Sequence, residues 1–292
     1  MRRFLLSTGL SVCFLVTKAA TITWVGVGTG NWNTGSNWSG GIVPSSSDDV
    51  VFNTTVNVTL DVTPDINSLL ISTSSSVTFE SSVSRTIILR STSASPRGLQ
   101  IDAASSLIID CTNASGTNNL ILSLTGSAGV TGLVNGNLYF TGSGGSVDAA
   151  ATFQTYTGVS NYADMQIGST GYIKFFTSSG NANTSATSFT MQSGATYEIA
   201  KNGGSFPDGN WNSASTAKAY GTGVNPPTFL GTSYGNLEVN LLSITFPLYF
   251  NADISFNNVN LISTGSDVVR AKTGTGSTTY TLTINGDLTV SS

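Results

Sequence analysis

The chain is 292 residues long, with 15 acidic and 11 basic side chains, no histidine, and only 9% of its residues charged. Without histidine, imidazole acid–base catalysis, histidine-containing triads and histidine metal sites are excluded. A net charge of −4 argues against holding nucleic acid or an anionic membrane by bulk electrostatics, and solubility falls to Ser, Thr, Asn and Gly where a typical protein is roughly 25% charged.

Residues 1–20 have the three parts of a secretory signal: Arg2 and Arg3, an apolar stretch from Phe4 to Val16, and small residues at Ala19 and Ala20. The apolar stretch is shorter than the roughly 18 residues a membrane span needs, so a cleaved signal and a secreted chain are expected. Cleavage after Ala19 puts Thr17 at the −3 position, whereas cleavage after Ala20 puts Lys18 there. A lipoprotein would need Cys13 at the mature N-terminus, but Val12 is bulky for the preceding position. Losing Arg2, Arg3 and Lys18 moves the net charge from −4 to −7, and no later segment is long and apolar enough to span a membrane. The mature chain keeps only Cys111, so it has no intrachain disulfide, and burial as a small hydrophobe is the expectation for that thiol.

Residues 21–52 gather Trp24, Trp32 and Trp38 with Asp48 and Asp49. The tryptophans can stack on sugar rings or plug one end of a repeat fold, and the plug is favoured because terminal repeats need caps. Asp48 and Asp49, with Asp61 and Asp65 nearby, offer oxygens to Ca²⁺, yet no spacing matches an EF-hand loop, and turn formation explains them equally.

From residue 53 onward the pattern is β throughout, with no sustained helical period. Strong triplets centre on Leu70, Ile88, Ile108, Ile121 and Tyr139, evenly spaced apart from the shorter step to Ile121, with weaker runs at Val77–Phe79 and Leu99–Ile101 between them. That pattern suits a coil with one strong and one weak strand per turn, which must stack on its neighbours to bury its apolar face. Arg85 and Arg90 bracket one strand as solvated charges. Gly136-Asn-Leu138, Gly235-Asn-Leu237 and Gly286-Asp-Leu288 each open a β run, and the preceding Asn135 and Asn285 point to turns with positive φ. Pro247 must sit at an edge or a bulge. Residues 142–188 and 200–227 are irregular and are expected to leave the coil as long excursions. Such loops are where binding tends to reside.

The expected fold is therefore all-β, a right-handed parallel β-helix (β-solenoid) with its N-terminal cap over residues 21–52 and coils over 53–292. An antiparallel β-sandwich is the alternative. The pattern is still running at Val290, which points to a chain truncated at its C-terminal end.

The segment Gly30-Asn-Trp-Asn-Thr-Gly-Ser-Asn-Trp-Ser-Gly-Gly-Ile-Val-Pro44 with Asp48-Asp-Val-Val-Phe52 resembles the opening of large secreted β-helix proteins of Bacteroidetes type, relatives of autotransporter-like passengers. Gly194-Ala-Thr-Tyr-Glu-Ile199, Phe206-Pro-Asp-Gly-Asn-Trp211 and Tyr234-Gly-Asn-Leu237 look like coils of the same proteins. The resemblance implies an architecture and no catalytic residues. It also implies surface attachment through a C-terminal sorting region that this chain lacks.

The leading functional expectation is a secreted, non-enzymatic scaffold, a cell-surface stalk or adhesin-like rod without cofactors, meeting an extracellular glycan or protein surface. The alternative is a carbohydrate-binding or polysaccharide-degrading β-helix, with Trp211, Tyr220 and Tyr234 as ligand candidates. A hydrolase needs a carboxylate pair. Asp48 and Asp49 are the only adjacent acids, and the eight bases remaining in the mature chain do not cluster with acids along the sequence.

Overall fold

Alternate residues are buried along nearly every strand. Ser76–Ser81 and Ser106–Cys111 each run half-buried, buried, three times over, the signature of a strand with one face against a core. In the computed structural model the chain is described over residues 19–72, 74–91, 95–113, 119–124, 131–143, 150–154, 164–176, 182–183, 189–221, 225–242, 245–250, 252–264, 269–270 and 280–291. Residues 1–18 of the signal-like segment 1–20 lie outside them. Among the described residues there is no α-helix, only two short 3-10 turns at Gly35–Asn37 and Ser39–Gly41.

Three long sheets carry the molecule, of eleven, eight and five strands among the described residues. The chain visits them in rotation. Ser68–Ile71 lies in the eight-stranded sheet, Ser76–Ser81 in the eleven-stranded sheet and Arg85–Leu89 in the five-stranded sheet, and Leu99–Ile101, Ser106–Cys111 and Asn119–Leu124 repeat the circuit. Every strand ladder pairs parallel, from Ile22 beside Val50 to Leu261 beside Val290. An antiparallel sandwich is thereby ruled out, since its strands return by hairpins whereas these return only after a full circuit.

The circuit corrects the repeat inferred from the strong triplets. Leu70, Ile88 and Ile108 belong to three different sheets, so the distance between triplets along the chain measures the step between sheets. The true repeat is the step between register partners. It runs from Phe79 to Ile109 in an early turn, and in later, shorter turns from Ile199 to Ala219 and again to Val239. The described parts of residues 142–188 and 200–227 are likewise not excursions, the remainder lying outside the described residues. They contain strands of the same circuit at Asp164–Ile167, Tyr172–Phe175, Asn210–Trp211 and Thr216–Gly221. Very short strands between Gly and Pro carry too few apolar side chains to stand out in sequence. Pro247 immediately precedes the strand Leu248–Tyr249, a position where its missing N–H is tolerated.

The core is built from columns of register partners. Val58, Phe79, Ile109, Phe140, Phe175, Ile199, Ala219 and Val239 succeed one another in the long sheet and are all buried. Phe140 and Phe175 stack with centroids 4.7 Å apart and planes 6° from parallel. Cys111 is buried too, as its sequence context led one to expect, and burial pushes its thiol pKa up.

Where the eight-stranded sheet turns into the long sheet, one corner recurs. The N–H groups of Ser75, Ser105, Gly171, Ala195 and Ser215 donate to the carbonyls of Ser72, Asp102, Gly168, Gln192 and Asn212 at 2.8–3.2 Å, a β-turn stacked turn upon turn. The residue that closes each turn is small because the coils nest there. A Cβ on Gly136 would lie 2.2 Å from the Ser105 carbonyl oxygen, one on Gly171 2.1 Å from that of Val134, and one on Gly235 2.3 Å from that of Ser215. None of these three glycines takes a positive φ. These glycines are there for close approach and not for a left-handed backbone; in this corner positive φ falls instead on the residue before the one that closes the turn, at Ser74, Ala104 and Gly194.

Candidate functional site

At the end where both long sheets begin, Trp24, Trp32 and Trp38 are at most 2% exposed. Their rings pack edge-on to one another at 4.7–4.8 Å and against Phe52, and the Trp38 indole N–H donates to the Trp32 carbonyl at 2.7 Å. No face is left for a sugar ring. The two aspartates nearby are separately engaged. Asp48 Oδ2 accepts from the Ser45 N–H and hydroxyl at 2.8 and 2.6 Å, closing a turn, while Asp49 Oδ1 accepts from Asn67 Nδ2 and Ser68 Oγ, both at 2.7 Å. Their carboxylates thus serve different loops, and no cluster of three or more Asp, Glu or Cys side chains suited to a metal ion occurs among the described residues.

Charges scattered in sequence are brought together on the outward face of the long sheet. Tyr139, Lys174, Glu198, Lys218 and Glu238 form one column of register partners. Lys174 Nζ lies 2.8 Å from Glu198 and Lys218 Nζ 3.2 Å from Glu238. The hydroxyls of Tyr172 and Tyr220, one column over on either side, donate to Glu198 and Glu238. Burial and then the Glu198 hydrogen bond hold the Tyr172 phenol far above its ordinary pKa, and burial with the Glu238 bond raises Tyr220 to about 12. The bases therefore do cluster with acids: each pair is a full turn apart along the chain but one strand apart in the fold. Glu80 and Asp110 are also brought into register. Glu80 accepts from the Thr59 hydroxyl at 3.0 Å and Asp110 from the Ser143 hydroxyl and N–H at 2.6 and 2.9 Å. Across this face each of these carboxylates has a partner, a lysine for Glu198 and Glu238 and hydroxyl or backbone donors for Glu80 and Asp110. Glu198, 5% exposed, is enclosed by Tyr172 and Lys174 and has no open side toward a substrate. Arg90 adds a two-pronged contact to Asp65 at 2.5 and 2.9 Å, and Arg85 Nη2 donates to the Asp61 carbonyl at 3.1 Å.

An open groove of about 460 Å³ lies on the eight-stranded sheet, lined by Thr190–Ser193, Gly209–Asn212 and Ser233. It forms where the ladder is interrupted: Asn210–Trp211 pairs with Phe189–Met191 on one side but ends that sheet on the other. The next strand-like segment pairs only onward, Ser233 with Ser255. Trp211 falls in the inward column beside Met191 and is the apolar part of the lining. Its ring rests on Tyr234 at 4.9 Å and its indole N–H donates to the Pro207 carbonyl at 3.3 Å. Trp211 is half-buried, so part of the indole is available to a ligand.

Tyr234 lies beneath the groove, 3% exposed, with its hydroxyl accepting from the Gly231 N–H at 2.7 Å, so its role is packing. Tyr220 is on the other sheet, bound to Glu238 and lying under Lys218 at 5.5 Å. The structure thus parts the three candidates and leaves only Trp211 at the groove. The polar side chains that line it were missed from the sequence: Thr190, Gln192, Asn210, Asn212 and Ser233. Their signal was the repeat that sets Gln192-Ser193 against Asn212-Ser213, legible only once the length of a turn is known.

No helix among the described residues is long and apolar enough to cross a membrane, which leaves membrane-spanning strands unaddressed. No protein-family model, no curated protein and no solved structure matches this chain.

Proposed function

We propose that the chain is a secreted, non-enzymatic scaffold, a right-handed β-solenoid that serves as a cell-surface stalk or adhesin-like rod. One observation carries this reading: parallel ladders run through eleven strands of one sheet, with the core renewed at every turn by register partners. Successive strands about 4.8 Å apart give that sheet a length of about 48 Å, and right-handed crossovers are the rule for parallel strands joined in one sheet. Such a body holds its outward side chains at fixed spacings. The tryptophan plug at one end supports the scaffold reading, as does the ion-paired outer face, where acids and bases neutralise one another. The resemblance to secreted Bacteroidetes-type β-helix proteins accords with it.

Small-angle scattering of the mature chain tests the shape: a rod-like profile is expected, and a globular one would sink the solenoid. Mass spectrometry of protein recovered from culture medium tests export, with a mature N-terminus next to Ala19 or Ala20 as the expected result.

A second reading is favoured by the groove at Trp211. Its lining combines amide and hydroxyl side chains with part of an indole and no charged group, a composition suited to an uncharged sugar. Glycan-array binding that is lost on Gln192→Ala with Asn210→Ala, at unchanged melting temperature, is the expected outcome. Binding untouched by that pair would remove the groove from consideration.

A further inference from the structure

Thr190 and Asn210 are register partners, as are Ser233 and Ser255, and Ser255 and Thr283. They supply outward Thr, Asn, Ser, Ser and Thr from five successive turns in two paired runs, Thr190–Asn210 and Ser233–Ser255–Thr283, with the ladder broken between Asn210 and Ser233. A second hollow, of about 410 Å³ and lined by Thr232, Asp253, Ile254, Ser255 and Thr283, continues the groove beyond Ser233. Thr232 lines the second hollow and its chain neighbour Ser233 the first, which sets the two side by side as one candidate trough crossing the strands.

We infer that this trough takes a linear, uncharged polysaccharide lying across the strands, along the direction in which they stack. The inference rests on the glycan reading of the Trp211 groove and extends it in length, direction and ligand class. Three observations support it.

The first is spacing. Strands sit about 4.8 Å apart within each paired run, one step from Thr190 to Asn210 and two from Ser233 to Thr283, on either side of the break. Equatorially linked pyranose rings advance by about one strand spacing per sugar, so each turn offers a polar group to each successive ring. A peptide strand pairing with a sheet would instead run along the strands.

The second is chemistry. The trough has no Lys or Arg, and its single acid, Asp253, already accepts from the Thr281 N–H at 2.7 Å. Nothing there would neutralise a uronate, sulfate or phosphate.

The third is availability. The side chains of Thr190, Gln192, Asn210 and Ser233 make no hydrogen bond to any described residue. Asn212 commits its Oδ1 to the Ala214 N–H at 2.9 Å, which leaves its NH₂ group as a donor. A polyhydroxyl chain meets donors and acceptors that need not first break protein contacts.

The test is calorimetric titration of the full chain with neutral gluco-, xylo- and manno-oligosaccharides, from the monosaccharide to the hexasaccharide, beside oligouronates of the same lengths. Affinity is expected to rise from disaccharide to tetrasaccharide and then level off. The gain is roughly tenfold per sugar, about one net hydrogen bond each. Thr283→Arg, an exposed substitution in the far hollow, should reduce the tetrasaccharide toward disaccharide affinity and leave the disaccharide and the melting temperature unchanged. If disaccharide and hexasaccharide bind equally and Thr283→Arg changes neither, the trough is overturned while the Trp211 groove stands. Tighter binding of oligouronates would overturn the uncharged class. If no oligosaccharide binds, both this inference and the glycan reading of the groove fall.

Discussion

At the scale of single residues, context decides what a charge contributes. Glu198 is 5% exposed and holds both the Tyr172 hydroxyl and the Lys174 ammonium, so its removal strands two partners. Glu198→Ala is expected to destabilise by about 2 kcal/mol, the scale of hydrogen bonds to a charged group. Asp65→Ala breaks the Arg90 pair, whose side chains are 36% and 43% exposed. That loss should stay within about 1 kcal/mol, as exposed pairs do. Urea denaturation midpoints would compare the two, and equal losses would refute the contrast.

Lys201 is a charge whose burial carries a cost. It is 6% exposed, and desolvation lowers its pKa from 10.5 to about 8. Between those values the unfolded chain keeps a proton that the folded chain has shed. Stability therefore rises with pH across that window, and the full burden is present below pH 8. Above pH 10 the sign reverses: Tyr220, raised from 10.0 to about 12, keeps its proton when folded and loses it when unfolded. Stability is expected to peak near pH 10. Lys201→Met should flatten the rise from pH 8 and stabilise the protein at pH 7 by on the order of 3 kcal/mol, at about 1.4 kcal/mol per pKa unit. Denaturation curves from pH 7 to 12 would show it, and an unchanged profile would exclude Lys201 as the source.

At the scale of elements, the recurring corner is the most constrained feature. Where Ser75, Ser105, Ala195 and Ser215 stand in other turns, Gly235 stands with no room for a Cβ. Gly235→Ala should destabilise by about 1–3 kcal/mol through overpacking against the Ser215 and Asn212 carbonyls. Gly136→Ala should behave alike, since its obstacles are also backbone oxygens. A thermal melt that leaves either variant at wild-type stability would show that the coils can separate locally.

At the scale of the whole molecule, the solenoid proposed above has each turn contact only its neighbours, which makes the turn the natural unit of insertion and loss. Thr196, Thr216 and Asn236 are successive register partners, equally spaced along the chain. Deleting residues 216–235 joins Ser215 to Asn236 in the same corner geometry and should leave a folded, shorter protein, whereas deleting 216–225 should not fold. The full-turn deletion has one defect: it sets Glu238 directly beside Glu198 where Lys218 stood between them. Glu238→Lys in the shortened chain should restore the alternation and raise its melting temperature. Circular dichroism and melting curves would decide this. Equal behaviour of the two deletions would defeat the idea of a modular turn.

The sequence by itself determined the local state. Period-two burial, β-branched runs and recurring Gly and Asn made the chain β, and the alternation marked which side chains point inward, because those signals act between near neighbours. The clustering of Trp24, Trp32 and Trp38 was visible for the same reason, and their burial accords with it: bulky apolar rings beside polar turns have nowhere else to go. Only the tertiary structure decided the length of the turn, because the strongest triplets come from different sheets and their spacing mixes the steps of a circuit. With turn length unknown, nothing in sequence could place Lys174 beside Glu198, Glu80 beside Asp110, or Asn210 beside Thr190. The same holds for the glycines, whose requirement arises from the coil beneath and not from their own backbone angles. What lies one strand away in space lies a whole circuit away in the chain, the circuits differ in length, and only the fold converts one distance into the other.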